Sequence, residues 1–263
     1  MMTTYSGGSI TMMAVERQRK IADLVNEKGS IRVHEISQLF DVTPETARRD
    51  LDLLESEGKL RRTHGGAVRM DDGQGDVPYV ERESTNSKEK LEVARLALSH
   101  ISAGDKIALD ASSTAWFLAR EIPDMPLTVL TNSVRVIQEL SSKERIQVIS
   151  TGGILRSQSM SFVGPLAEET LSKYYVNKAF ISCKGVHLEY GVSEANEWQA
   201  IVKRRMTSIA DETYLLVDHT KFGLRDFTHV LDLADVAHIL TDSQVPDEVN
   251  EKFLERGTQI ERS

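Results

Sequence analysis

Apolar residues recur at helical spacing three times within the first sixty positions. Ile21, Leu24 and Val25 mark a helix that starts near Val15 and runs toward Glu27-Lys28, with Gly29 as its stop. A second, shorter helix carries Ile36, Leu39 and Phe40. A third opens at Thr43-Pro44, a hydroxyl N-cap followed by proline at the first helical position, and places Ala47, Leu51 and Leu54 on one face up to about Gly58. Lys59 to Arg62, the turn-forming Thr63-His64-Gly65-Gly66 and Ala67 to Arg69 then predict a small hairpin.

The pattern changes after Met70. The run Met70 to Pro78 is rich in Gly and Asp and has no apolar period, so a linker is expected over residues 71–86. A helix from Ser87 to about Ser102 follows, marked by Leu91, Ala94, Leu98 and Ile101. Beyond it, short apolar runs alternate with helical segments: Lys106 to Leu109, Leu127 to Leu130, Ile146 to Ile149, Lys178 to Ile181, Tyr214 to Val217 and His238 to Leu240. Such alternation predicts an α/β domain over residues 87–263 with a largely parallel sheet. Residues 1–13 are expected to be a floppy leader, and residues 14–70 the first domain.

Composition narrows the class. The longest apolar stretches stop after a few residues, short of the ~18 to 20 that cross a bilayer, and the N-terminus lacks a basic start and an apolar core, so a cytoplasmic protein without a membrane partner is expected. Cys183 is the single cysteine and cannot form an internal disulfide; amid apolar neighbours it reads as a small buried hydrophobe. The seven histidines never fall three or four apart within one helix, and neither the dinucleotide-binding nor the P-loop pattern occurs, so no metal and no cofactor are expected. Trp116 and Trp198 read as core residues on helices.

The net charge of −8 conceals an asymmetry. Residues 14–70 hold 11 Lys plus Arg against 10 Asp plus Glu, whereas the rest of the chain holds 21 against 30. Six of the N-terminal positives bunch at Arg48, Arg49, Lys59, Arg61, Arg62 and Arg69, so the whole-chain charge does not exclude a nucleic-acid partner. With Leu51 and Leu54 turned inward, Thr43, Glu45, Thr46, Arg48 and Arg49 face out, where Arg can pair with guanine and Thr can reach phosphates or a thymine methyl. Three short helices and a basic hairpin are the layout of a winged helix-turn-helix. A three-helix bundle with a solvated basic face has the same pattern.

Two segments of the second domain could hold an anion. Asp110-Ala111-Ser112-Ser113-Thr114 sits between a predicted strand and an apolar helix, offering backbone amides, three hydroxyls and a helix dipole to a phosphate, although the same residues serve as an ordinary N-cap. Asp218 to Gly223 adds Lys221 beyond another strand end, either a phosphate partner or a solvated loop lysine.

Several motifs together carry a family resemblance. Gln18-Arg19-Lys20-Ile21, the run Val42 to Leu51 and the run Leu60 to Ala67 resemble the DNA-binding domain of DeoR-type bacterial transcription regulators. The runs Asp110 to Thr114, Thr131-Asn132-Ser133, Thr151-Gly152-Gly153, Phe162 to Pro165, Cys183 to Val186 and Asp218 to Gly223 resemble the sensor domain of the same family, which is similar in fold to ribose-5-phosphate isomerase. Two positions depart from the usual pattern: Ala47 stands where a larger β-branched residue is common, and Ser112 where glycine is common, narrowing the approach to a ligand.

The resemblance implies an N-terminal winged helix-turn-helix plus a C-terminal α/β domain, operator DNA and a sugar-phosphate effector as partners, and a repressor of a carbohydrate operon. It implies DNA contacts from Arg32, Thr43, Glu45, Thr46, Arg48 and Arg49, with Arg61, Arg62 and His64 on the wing. It implies an effector site of Asp110, Ser112, Ser113, Thr114, Asn132, Gly152, Gly153, Lys184, Gly185 and Lys221, the phosphate lying on Ser112 to Thr114 and Lys221. A homodimer or homotetramer is expected, because one such module makes too few base contacts for operator specificity. The rival reading is a sugar-phosphate isomerase with an accessory DNA-binding module, Asp110 or Glu194 serving as base. No matched acid and base pair stands out in the sequence to support it, and no catalytic residue is assigned.

Overall fold

The computed structural model describes residues 14–28, 30–57, 59–63, 65–69 and 77–263. The expected leader, the Gly- and Asp-rich run from Met70 to Asp76, the helix stops Gly29 and Gly58, and His64 lie outside the described residues. The chain divides into two compact units, residues 1–73 and 74–263.

In the first unit, helices α1 (Ala14–Lys28), α2 (Val33–Phe40) and α3 (Pro44–Ser56) pack on a three-stranded antiparallel sheet of β1 (Ser30–Arg32), β2 (Leu60–Thr63) and β3 (Gly66–Arg69), in the order β1-β3-β2. Ile21, Val25, Ile36, Ala47, Leu51, Leu54 and Leu60 form its core, as the helical spacing requires. Thr43 caps α3 by accepting from the Thr46 amide, with Pro44 at the first position. Strand β1 carries one apolar residue in three and gave no pattern to read. Leu39 is exposed, because an eight-residue helix crossing the core at Ile36 buries only a narrow stripe.

One polar contact pins α3 to α1. Arg17 Nε lies 2.6 Å from Asp50 Oδ2 and its Nη2 3.2 Å from Oδ1, while the Gln18 amide donates to Oδ1 at 2.8 Å. Both members of the pair are buried.

The second unit is built on a seven-stranded parallel sheet. In chain order its elements are α4 (Tyr79–Ser84), α5 (Ser87–Leu98), β4 (Lys106–Leu109), α6 (Ser113–Glu121), β5 (Leu127–Thr131), α7 (Val134–Leu140), β6 (Ile146–Ser150), β7 (Ile154–Arg156), β8 (Ser161–Val163), α8 (Pro165–Leu171), β9 (Val176–Ile181), β10 (Gly185–His187), β11 (Gly191–Glu194), α9 (Glu197–Ser208), β12 (Ala210–Leu216), β13 (Thr228–Leu231), β14 (His238–Thr241), α10 (Asp247–Glu255) and β15 (Ile260–Arg262). The sheet order is β15-β14-β12-β9-β4-β5-β6, with β10-β11-β13 and β7-β8 as small antiparallel additions. Both faces are covered, which is why the central strands are continuously apolar. Ile107, Leu109 and Phe180 point toward α5, α6 and α7, and Ala108, Leu130 and Ala179 toward α8 and α9.

The linker expected over residues 71–86 is interrupted. Helix α4 occupies Tyr79–Ser84 within it; Tyr79 is buried in the core, its amide donates to the Gln158 carbonyl at 2.8 Å, and Glu83 pairs with Arg135 at 3.0 Å. A six-residue helix with a single buried aromatic shows no apolar period. The helix expected from Ser87 to Ser102 ends at Leu98, and Ile101 reaches the core from the turn beyond it.

The Arg17–Asp50 pair yields a test. Asp50→Ala leaves a buried guanidinium without its partner, a change that costs about 3 to 5 kcal/mol. Hydrogen exchange of the full chain should show faster exchange in residues 44–56 and little change in residues 106–131; unchanged protection of α3 would contradict this assignment.

Candidate functional site

Strand β4 has β5 on one side and β9 on the other, because the chain runs outward through β5 and β6 and then returns across β4. Such a reversal opens a crevice at the carboxyl ends of the strands. The loops after β4, β9 and β12 line a cavity of about 130 Å³ there, together with residues of the α4–α5 segment.

Its floor is a buried ion cluster. Lys203 Nζ, on α9, lies 3.0 Å from Asp110 Oδ2 and 2.5 Å from Glu194 Oε1, and donates to the Ser182 carbonyl at 2.5 Å. Asp110 also accepts from the Ser112 amide and hydroxyl through Oδ1, at 3.0 and 2.5 Å, and from the Ser182 amide through Oδ2 at 3.0 Å. Burial works against the Lys203 charge, but the two adjacent carboxylates outweigh it and hold its pKa above the ordinary lysine range. Beside it, burial pushes the Cys183 thiol up to about 12, so it stays protonated and unreactive.

Ser112 is the N-cap of α6, its hydroxyl accepting from the Ala115 amide. The two residues that follow differ from it. Ser113 and Thr114 line the cavity, neither hydroxyl makes a hydrogen bond among the described residues, and their amides belong to the first turn of α6, which has no intrahelical acceptors. Lys184, which follows β9, and Lys221, which follows β12, line the same cavity. Asp218 caps the turn holding Lys221 and takes a hydrogen bond from Asn86 at 3.3 Å.

Among the described residues, cations exceed anions around this space. Arg82, Lys90, Lys184, Lys203 and Lys221 line it against Glu194 and Asp218, with Asp110 just beneath. Lys90 records the imbalance: burial first, then Lys221, Arg82 and Lys184, lower its pKa to about 8 against the opposing pull of Asp218. A preformed positive cavity at a helix N-terminus, with unused hydroxyls, suits a phosphate dianion.

The expected effector residues fall into two groups. Ser113, Thr114, Lys184 and Lys221 line the cavity, with Ser112 at its wall and Asp110 beneath its floor. Asn132, Gly152, Gly153 and Gly185 do not line it. Asn132 is buried, donating to the Phe162 carbonyl at 3.0 Å. Gly152 and Gly153 carry φ of +60° and +115°, and a Cβ on Gly153 would come within 2.7 Å of the Val163 carbonyl; backbone path explains both. Gly185 allows close approach of the Leu224 carbonyl, 2.5 Å from where a Cβ would stand. Arg82, Lys90 and Lys203 went unnoticed, since each is one charged residue on a helix; Glu194 was seen only as a possible base.

The basic face of the first unit is partly as expected. Thr43, Glu45, Arg48 and Arg49 are exposed on or next to α3, with Thr46 half-buried. Arg48 leans on Glu45 at 3.1 Å, while Arg49 makes no hydrogen bond or ion pair among the described residues. Arg32, between β1 and α2, is exposed, and its amide donates to Glu35 at 2.8 Å. Arg62, expected as a DNA contact on the wing, pairs through its side chain with Asp52 at 2.9 Å and donates to the Gly66 carbonyl at 2.8 Å, stitching the hairpin to α3. The side chain of Arg61, like His64, lies outside the described residues.

A winged helix-turn-helix followed by an α/β unit with a preformed cavity defines a two-part transcription regulator. Residues 17–72 match the DeoR-like helix-turn-helix domain and residues 85–243 the DeoR C terminal sensor domain. The chain belongs to the DeoR family of transcription regulators. It is 50% identical to the HTH-type transcriptional regulator YulB of Bacillus subtilis (strain 168), covering 93% of this chain and 94% of that one. It is 36% identical to the L-fucose operon activator of Haemophilus influenzae, over 91% and 96% of the two chains, and 35% identical to the transcriptional repressor GlcR of Bacillus subtilis, over 94% and 95%. Among solved structures, ribose 5-phosphate isomerase A of Methanocaldococcus jannaschii matches with a TM-score of 0.40 at 20% identity, over 52% of this chain and 55% of that one.

The cluster on the cavity floor is testable. Lys203→Met leaves Asp110 and Glu194 buried side by side without a cation, costing about 3 to 5 kcal/mol at neutral pH. A carboxyl in the variant then holds its proton more tightly folded than unfolded, so the variant's stability is fullest below the unfolded carboxylate pKa and falls as pH rises through the raised folded value. Denaturation of both proteins between pH 4.5 and 8 should show a deficit that widens with pH; a constant deficit would mean that Lys203 matters only through packing.

Proposed function

We propose that this protein represses a carbohydrate operon and that a phosphorylated sugar, bound in the cavity at the ends of β4, β9 and β12, alters its affinity for operator DNA. The observation that carries this reading is the excess of cations facing the unused hydroxyls of Ser113 and Thr114. The phosphate lies on those residues and the α6 amides, with Lys221 as counter-ion, and Lys184 reaches the sugar. In the first unit α3 enters the major groove, Arg49 being the side chain most available for a base contact and Arg48 the next once it leaves Glu45. Relatives named as L-fucose operon activators support the carbohydrate setting, and relatives named as the repressor GlcR and as a putative aga operon transcriptional repressor support repression. A homodimer or homotetramer in the cytoplasm presents two helices to two half-sites.

The carboxylates favour binding over turnover. Asp110 accepts four hydrogen bonds or ion-pair contacts and Glu194 is held by Lys203, so neither is a free base. A thermal-shift panel of sugar phosphates beside their unphosphorylated sugars is the test: a phosphorylated ligand at ~100 times its dissociation constant adds about 2.7 kcal/mol. Stabilisation by free sugars alone would overturn the reading.

Two further outcomes follow from the geometry. Arg49→Ala should weaken operator binding by about 1 to 3 kcal/mol and relax preference at one operator position, measured by gel shift at fixed salt. For the effector, a bound dianion raises the pKa of Lys90 from its value of about 8, so binding takes up protons above that pH. Calorimetry across pH 7 to 9.5 should find affinity flat at first and declining as pH rises beyond 8, with proton uptake visible between buffers of different ionisation enthalpy. Lys221→Ala should reduce affinity about tenfold to a hundredfold and leave effector-free operator binding unchanged.

A further inference from the structure

Residues 77–84 fall between the two matched segments, after the helix-turn-helix match ends at 72 and before the sensor match begins at 85. They are nevertheless part of the cavity. Val77 and Arg82 line it, and α4 is fixed to the sensor unit by buried Tyr79 and the Glu83–Arg135 pair. Lys90 Nζ donates to the carbonyls of Arg82 and Thr85 at 2.5 and 2.6 Å, holding the turn that follows α4.

Arg82 is the unusual member. Its guanidinium lies over the Tyr79 ring at 5.3 Å, and its Nε and Nη2 are buried without a hydrogen-bond partner. No acidic side chain pairs with it among the described residues. A guanidinium withdrawn from water with two idle donors is costly to keep unless something anionic supplies the missing acceptors. Arg82 is also one of the cations that, after burial, lower the Lys90 pKa, and an anion bound among them offsets that repulsion.

We propose that Arg82 is an effector-contact residue, its guanidinium turning from the Tyr79 ring into the cavity to fork onto the ligand's phosphate or an adjacent anionic oxygen through Nε and Nη2. The ligand thereby grips the segment through which the chain passes from the DNA-binding unit into the sensor unit. This rests on the reading of the cavity as a phosphate site and adds to it a route for the signal. Contacts confined to Ser113, Thr114 and Lys221 would order only the interior of the sensor unit, whereas a contact at Arg82 makes the joint segment sensitive to occupancy.

The test uses the full-length chain with inorganic phosphate as probe. Hydrogen exchange with and without saturating phosphate should show slowed exchange in residues 110–118 and also in residues 77–90. Arg82→Ala should weaken phosphate binding tenfold or more by calorimetry and abolish the protection of residues 77–90, with the melting temperature of the ligand-free protein as a folding control. Arg82→Lys, which keeps the charge and loses the fork, should fall between the two. Protection of residues 110–118 alone, with equal affinity in wild type and Arg82→Ala, would overturn this proposal and leave the phosphate site standing. No protection and no binding of phosphate by the wild type would overturn both.

Discussion

A single ammonium holds the sensor cavity in shape. Lys203 sits between Asp110 and Glu194 with the Ser182 carbonyl as its third acceptor, so α9, the loop after β4, the end of β11 and the loop after β9 are tied at one buried point. Charges taken out of water are tolerated only when fully partnered, and removing one leaves the others stranded. The cluster therefore acts through geometry more than through net stability. Asp110, fixed by Lys203 and the Ser182 amide, in turn fixes Ser112, and Ser112 sets the direction in which α6 begins. The amides and hydroxyls of Ser113 and Thr114 are aimed by that chain of contacts.

The same arrangement divides labour between floor and rim. In the floor, two carboxylates share one lysine, so its charge is spent internally. At the rim, Arg82, Lys90 and Lys221 line a space in which, among the described residues, Asp218 is the acidic side chain beside the already engaged Glu194. On the proposed reading an incoming dianion meets this excess of cations, and pre-arranged donors lower the cost of ordering on binding. The first unit uses the opposite device: the buried ion pair Arg17–Asp50 is internal, and Arg49, on an exposed helix face, has no partner among the described residues.

Much of this was legible in the sequence because it is local. The Thr43-Pro44 cap, the stripe of Ala47, Leu51 and Leu54, and the six apolar strands each announce themselves within a few residues, and their alternation with helices dictates a parallel sheet. What was missed depends on distant partners. Lys203 and Arg82 look like solvated helix residues until the fold places Asp110 beside the one and withdraws the other from water. Tyr79 is too isolated to declare a helix, so the pattern over α4 predicts only a linker. Asn132, Gly152 and Gly153 stand in loops at the same end of the sheet as the cavity, yet β5 and β6 lie on the far side of β4, and Asn132 turns to the Phe162 carbonyl. The pairing of Arg62 with Asp52 and the Gly66 carbonyl is likewise something no spacing rule reveals.

Binding without turnover is what a regulator requires of such a cavity, and the hydrogen-bond accounting favours it. A base that removes a proton from a sugar carbon needs an unengaged lone pair and room to accept charge. Asp110 has four donors on its two oxygens, and Glu194 gives one oxygen to Lys203 and the other to the Ala195 amide at 3.3 Å. To act as a base, either carboxylate would first have to break the contact that holds the cavity together. On the proposed reading the ligand is left chemically unchanged, so occupancy tracks its concentration, and that is the quantity a transcription regulator has to report.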